Sequence, residues 1–124
     1  MPRRRRKIVV DTRVGVIILI VAKVCGVNPS GLTERTFTGE ICWARHLAMF
    51  FSMKYVVKSS NYVGSCFGVN HTTVLYARKV VADMINTIEY DQEKQQQYRR
   101  CEDLIRIDPA FVFRRLARPE TTIG

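Results

Sequence analysis

The strongest restriction on the fold of this chain is a glycine at position 68 that separates two helical patterns. The run N-Y-V-G-S-C-F before it is capped by Ser59 or Ser60, and Gly68 can adopt the left-handed conformation that ends many helices. After it, Asn70 is a candidate N-cap for a longer helix whose apolar residues recur at three- and four-residue steps: Val74, Ala77, Val81, Met84 or Ile85, and Ile88. The sequence therefore predicts two helices joined by a tight turn, with the polar run H-T-T at the exposed start of the second.

Two further helical patterns precede this pair. The apolar run from 14 to 24 predicts a buried helix, and Asn28 followed by Pro29 predicts a capped helical turn that passes through Leu32 and ends near Arg35. The run from 38 to 57 carries a broad apolar stripe and predicts a long helix that is mostly surrounded by protein: Ile41, Ala44, Ala48, Phe51 and Tyr55, widened by Trp43, Leu47 and Phe50.

The carboxyl-terminal part is also predicted to be helical. A polar, helix-forming stretch begins near residue 90, and Asp108 and Pro109 are typical of the cap and first residue of a final short helix with Phe111, Phe113 and Leu116. The whole chain is therefore predicted to be an all-α helical bundle containing a helix-turn-helix.

Charge divides the chain into three parts. Residues 1–11 carry net +4, residues 12–88 carry net +5, and residues 89–124 are neutral. We interpret these parts as a basic flexible arm, a helix-turn-helix domain and a helical extension. A total of +9 favours polyanionic partners, nucleic acid ahead of a membrane surface. The alternative is that the charge only keeps the protein in solution.

The sequence lacks the residue patterns that several kinds of function require. The four cysteines form no C-x-x-C pair, and Cys42 with His46 would supply only two ligands, so neither a metal nor a cofactor is predicted. The thiols are interpreted as buried or free in a reducing cytosol. The sequence has no G-x-x-x-x-G-K-[ST] loop and no Ser/His/Asp or Cys/His arrangement, so we predict neither an enzyme nor a small-molecule substrate. The apolar run near the start is too short to span a bilayer, so no membrane association is expected.

The turn and the polar run together indicate a DNA-binding function. In a helix-turn-helix, the start of the second helix enters the major groove, where hydroxyl and imidazole groups can donate to or accept from base edges and a threonine methyl can contact thymine. The backbone N–H groups at such a helix start also favour a nearby phosphate. The alternative interpretation is that H-T-T serves only as an N-terminal cap.

Three segments carry a family resemblance. The run FGVNHTTVLYARKV resembles F-G-G-R-D-H-T-T-V-L-H-A-C-R-K-I of the C-terminal DNA-binding domain of the bacterial replication initiator DnaA. The segment A-R-H-L-A-M at 44–49 is similar to that family's P-R-Q-x-A-M, and V-A-K-V-C-G-V-N-P-S-G-L at 21–32 resembles its first helix and the short helix after it. The resemblance covers roughly residues 14–88.

The resemblance implies binding of double-stranded DNA at a short A·T-rich site. It implies base contacts in the major groove from Asn70, His71, Thr72 and Thr73. It also implies phosphate contacts from Arg45 and Ser59, with Lys79 at a family arginine position and Lys54 one position from a family lysine; Arg78 and Arg35 complete the expected phosphate set.

Two departures from the family separate this chain from its relatives. The turn is one residue shorter and has Asn70 where the family has aspartate. The loop E-R-T-F-T-G carries Phe37 where a family arginine enters the minor groove. One hypothesis is that the arm with Arg3, Arg4, Arg5 and Arg6 reaches the minor groove instead, as homeodomain arms do. The other is that the arm contacts phosphates only.

Two functions follow as expectations. The first is a site-specific DNA-binding protein in the cytoplasm, associated with the nucleoid, that regulates transcription or origin use without ATPase activity. The second is an interaction module in which the apolar tail around Phe111 and Phe113 docks a partner or a second copy through residues 104–118, with a vestigial DNA face.

Overall fold

The protein is all-α, as predicted. A computed structural model describes residues 8–34, 38–87 and 91–116, the last four of them in backbone only. The described residues form six α-helices and a 3-10 turn at Pro29–Leu32. The helices are α1 (Thr12–Cys25), α2 (Gly39–Tyr55), α3 (Ser60–Phe67), α4 (His71–Asn86), α5 (Gln92–Ile107) and α6 (Pro109–Leu116).

Local signals define most helix ends. Thr38 caps α2 by accepting from the backbone N–H of Ile41 at 3.4 Å, and Asn28 caps the 3-10 turn by accepting from Ser30 at 3.0 Å. At the start of α6, Asp108 accepts from the N–H of Ala110 at 2.9 Å, which confirms the predicted cap. Each of these side chains satisfies a backbone donor that has no partner within its helix.

The long helix α2 lies at the centre of the bundle and packs against α1, α3 and α4. Its buried side chains include Leu47, Met49 and Phe51, which are fully excluded from solvent. The predicted position of α2, surrounded by protein, is thereby confirmed. Only one face of α1 is buried, since Leu19 remains 59% exposed while Ile17 and Val21 are inside the core. The expectation of a buried first helix is therefore correct for that face alone.

The two carboxyl-terminal helices belong to the same core. Helix α5 packs against α1, and α6 packs against α5 and α1. Cys101, Ile105 and Phe111 are all buried, and the ring of Tyr98 stacks on Phe51 with centroids 5.2 Å apart. Among the described residues, no helix is long and apolar enough to cross a membrane.

The burial of Phe111 corrects one expectation from the sequence. Its ring is 4% exposed and meets Tyr55 edge-on at 6.2 Å, so it fills the core of its own chain and is not available to dock a partner. The side chains of Phe113 and of the rest of the predicted docking segment through residue 118 lie outside the described residues.

Candidate nucleic-acid interface

Helices α3 and α4 form a tight helix-turn-helix. Gly68 ends α3 with φ 71°, in the left-handed region, and its N–H and that of Val69 both point to the carbonyl of Gly64. A β-carbon built on Gly64 would lie 2.7 Å from the Val69 oxygen. The turn backbone therefore passes directly over Gly64, and only glycine fits there. Sequence reasoning missed this role, although a glycine inside a short helix is a signal of close backbone approach.

The start of α4 presents polar side chains to solvent. Asn70 caps the helix through its Oδ1, which accepts from the N–H of Thr72 at 3.1 Å and from the Thr72 hydroxyl at 3.3 Å. Asn70, His71 and Thr72 are exposed and Thr73 is half-buried. The structure brings all four predicted base contacts together at one helix tip. The capping hydrogen bonds use Asn70 and Thr72, so capping does not explain His71 or Thr73.

The outward face of α4 continues from this tip. Tyr76 is 60% exposed, and Arg78 and Lys79 also face solvent, with Lys79 Nζ 3.3 Å from the Asp83 carboxylate. His46 of α2 meets the Tyr76 ring edge-on at 5.7 Å. Burial lowers the pKa of His46, and the nearby positive charges act in the same direction, so this imidazole is neutral at pH 7.

The start of α3 carries another predicted phosphate contact. Ser59 is the N-cap of α3, and its Oγ accepts from the backbone N–H of Tyr62 at 3.1 Å. The hydroxyl hydrogen remains available as a donor because the cap uses only the oxygen. The side chain is half-buried.

Lys54, near the end of α2, is paired with the carboxyl-terminal part of the chain. Its ammonium bonds to Glu102 of α5, and the Tyr55 hydroxyl donates to the same carboxylate at 2.7 Å. The Lys54 side chain remains 43% exposed. The positive charge predicted to meet a phosphate is thus partly neutralised by α5.

Arg45 lies elsewhere than predicted. It is 8% exposed, and its guanidinium donates to three backbone carbonyls: those of Gly31 at 2.8 Å, Leu32 at 3.0 Å and Glu34 at 2.9 Å. These bonds tie the segment after the 3-10 turn to α2. The predicted phosphate contact is replaced by an internal one, because the side chain points into this loop.

The remaining predicted contacts fall on residues that the structure does not describe. Arg35 and the arm residues Arg3, Arg4, Arg5 and Arg6 are outside the described ranges. The described part of the predicted arm, residues 8–11, lies along α3, with Val9 N–H donating to the Ser65 carbonyl at 3.0 Å. Within 8–34, 38–87 and 91–116, His, Cys, Asp and Glu form no group of three that could hold a metal ion.

Comparison with known proteins relates the sequence of this chain to one family model and to one similar protein. The model of the family described as "Bacterial dnaA protein helix-turn-helix" matches residues 14–81. The chain is also similar to the chromosomal replication initiator protein DnaA 2 of Chlamydia pneumoniae, with 29% identity over 101 residues, or 82% of this chain. It spans about a fifth, 21%, of the length of that relative.

Proposed function

This chain belongs to the bacterial DnaA helix-turn-helix family, and we propose that it binds double-stranded DNA sequence-specifically through the start of α4. The observation that carries the proposal is the exposed tip formed by Asn70, His71 and Thr72 at a helix-turn-helix corner, on a chain with net charge +9. The runner-up, a protein-interaction module, loses support from the burial of Phe111.

Each tip residue brings a different capability to a base edge. The Oδ1 of Asn70 is used by the cap, so its amide Nδ2 is the group left to donate to a base acceptor. The imidazole of His71 can donate or accept, and the hydroxyl oxygen of Thr72, whose hydrogen is donated to Asn70, can accept. The methyl group of Thr73, next to this tip, can contact the methyl group of thymine. Together these groups are sufficient to distinguish base pairs in the major groove.

Phosphate contacts would orient α4 in the groove. Ser59 has its hydroxyl donor at the start of α3, while Arg78 and Lys79 line the exposed face of α4. Lys54, Arg35 and the arm from Arg3 to Arg6 would add further positive charge, whereas Arg45 would act only by holding the loop before α2. If six to eight cations engage, the slope of log K against log salt should be about −5 to −7.

The biological role we propose is regulation of transcription or of origin use at the nucleoid. The similarity to a protein named a chromosomal replication initiator supports a role at an origin. The 124 residues contain no phosphate-binding G-x-x-x-x-G-K-[ST] loop, so their binding to DNA would proceed without nucleotide hydrolysis.

Selection of bound duplexes from a random DNA pool tests the proposal directly. We expect one short enriched sequence, and we expect His71→Ala and Thr72→Ala each to weaken binding to it by about 5- to 150-fold, the value of one good base contact. Gln96→Ala on the exposed face of α5 is the control and should bind like the wild type. An unenriched pool, or His71 and Thr72 variants with wild-type affinity, would reject the proposal.

A further inference from the structure

The exposed face of α4 continues past its tip to Tyr76, a residue that the proposed DNA contacts leave unused. Tyr76 follows Thr72 by four residues, so the two side chains lie on the same face of the helix, about 6 Å apart along its axis. Val74, Ala77 and Val81 occupy the buried face. At 60% exposure, Tyr76 presents a large aromatic ring to solvent next to the surface that we propose for DNA.

The side chain of Tyr76 is suited to reach towards the start of α4. Side chains of an α-helix lean towards its N-terminus and cover the turn before their own Cα. The ring of Tyr76 is therefore expected to extend towards Thr72 and not away from it. Its hydroxyl makes no hydrogen bond to any residue within the described ranges, so both its hydrogen and its oxygen are open to a ligand.

His46 of α2 restricts the Tyr76 ring from one side. The two rings meet edge to face, with centroids 5.7 Å apart and planes at 80°, a geometry in which aromatic rings attract each other. His46 is half-buried on the helix that packs against α4. Burial, and then the charges of Arg45 and Lys94, lower its pKa, so this contact is between two uncharged rings near neutral pH. A side chain held in this way loses little conformational freedom when it binds a ligand.

We propose that Tyr76 is a further DNA contact, whose hydroxyl donates to a phosphate oxygen at the edge of the groove, and that His46 is its positioning residue. If α4 enters the groove by its tip, its first residues meet base edges, and a residue one turn later lies nearer the backbone that borders the groove. Tyrosine hydroxyls are common donors to phosphate oxygens. Lys79, further along the same exposed face, is also proposed to meet a phosphate. The inference rests on the proposed DNA-binding function and adds an uncharged contact to it.

Tyr76→Phe in the full chain tests the contact, because it removes the hydroxyl and keeps the ring beside His46. We expect it to weaken binding to the duplex selected by the wild type by about 2- to 12-fold, the net value of one hydrogen bond. The lost donor is uncharged, so the salt slope should not change. A phosphate carries no sequence information, so a repeated duplex selection should enrich the same site. Asn86→Ala, at the exposed far end of α4 and about 15 Å from Tyr76 along the axis, is the control and should bind like the wild type.

Two substitutions of His46 test the positioning role. His46→Leu fills the space without an aromatic ring, so we expect it to weaken binding by about 2- to 5-fold, a part of the Tyr76→Phe effect. His46→Phe keeps an aromatic ring beside Tyr76 and should bind nearly as well as the wild type. In a chain that already carries Tyr76→Phe, His46→Leu should have no further effect, because no hydroxyl remains to be positioned. Thermal unfolding of each variant checks its fold.

The outcomes are distinguishable. Wild-type affinity of Tyr76→Phe overturns the contact, and a changed preferred base or an altered salt slope overturns its assignment as an uncharged phosphate contact. An equal loss from His46→Leu with and without the Tyr76 hydroxyl overturns the positioning role, as does a His46→Phe variant that binds as weakly as His46→Leu. In each of these cases the proposed binding by α4 stands, because His71→Ala still weakens it. A wild-type protein that binds no duplex overturns the proposed function and this inference together.

Discussion

At the scale of single residues, Asn70 combines a helix cap with a proposed base contact, one on each of its two amide atoms. The oxygen caps α4, and the nitrogen is the atom left to make the proposed contact. The cap was predictable because asparagine before a helical pattern is a local signal. The division of tasks was not, since it depends on how the side chain is turned.

Asn70→Asp should separate the two tasks. Aspartate caps as well as asparagine, so the free energy of unfolding should change by less than about 0.5 kcal/mol. The donor becomes an acceptor, so the preferred base at one position should change to one that offers an amino group, cytosine N4 or adenine N6. Repeating the duplex selection measures the change. The same preferred site for both proteins would show that Nδ2 does not face a base.

Arg45 shows where residue-level prediction fails. Its partners are backbone carbonyls of residues 31, 32 and 34, which have no side-chain signature in the sequence. An arginine in a basic chain therefore resembles a DNA contact until its burial is known.

Arg45→Lys should lower the free energy of unfolding by about 2 kcal/mol, because one ammonium cannot replace a planar group that donates to three carbonyls. Arg78→Lys is the matched control, because it also replaces arginine by lysine but at an exposed position on α4. It should change the free energy of unfolding by less than about 0.5 kcal/mol. Urea denaturation of both variants measures the difference. Equal stabilities would mean that the internal bonds of Arg45 contribute little.

At the scale of elements, the sequence predicts helices well and their mutual contacts poorly. Gly68 and Asn70 were placed correctly, and Ser59 was one of the two candidate caps of α3, because caps and left-handed ends depend on neighbouring residues. The approach of the turn to Gly64 and the docking of residues 8–11 on α3 were not predicted. Both involve packing between segments, and periodicity within one segment does not carry that information.

Gly64→Ala should destabilise the helix-turn-helix by about 1–3 kcal/mol, because its methyl group would lie 2.7 Å from the Val69 oxygen. Gly15→Ala in α1 is the matched control. No atom lies within 4 Å of a β-carbon at that position, so alanine should stabilise the protein by about 0.5–1 kcal/mol through helix propensity. Thermal unfolding measures whether each variant is less or more stable than the wild type. A neutral Gly64→Ala would show that the turn can move away from α3.

At the scale of the whole molecule, α5 and α6 complete a core that extends beyond the residues matched by the family model, 14–81. The sequence predicted these helices but treated residues 89–124 as an extension. The polar character of α5 favoured that interpretation, since its buried side chains, Cys101 and Ile105, are few. Helix α5 packs against α1, which lies far away along the chain.

A chain ending at residue 87 should lose cooperative unfolding. It would lack Cys101, Ile105 and Phe111 and would expose the face of α1 that α5 covers, which costs upwards of about 5 kcal/mol and is comparable to the total stability of a small domain. A chain ending at residue 116 keeps α6 and should unfold like the full protein. Calorimetry compares them. A cooperative transition in the shorter chain would show that the first four helices fold alone.

The pairing of Lys54 with Glu102 also acts on the molecule as a whole. Glu102→Gln should release a positive charge, increase DNA affinity by about 2- to 5-fold and steepen the salt slope by up to about 0.9. Asp103→Asn removes the same charge from an exposed neighbouring position and corrects for net charge. Titrations at several salt concentrations measure both variants. Equal effects would assign the gain to net charge and not to Lys54.

The course of residues 8–11 bears on how the protein should be handled in the laboratory. Because this segment runs from Asp11 to Gly68, a purification tag or fluorescent reporter joined directly to Ile8 would begin beside Gly68, close to the proposed DNA contacts at the start of α4. Such a fusion would compete sterically with a bound duplex. Immobilisation through the opposite terminus is therefore the sounder choice for binding measurements.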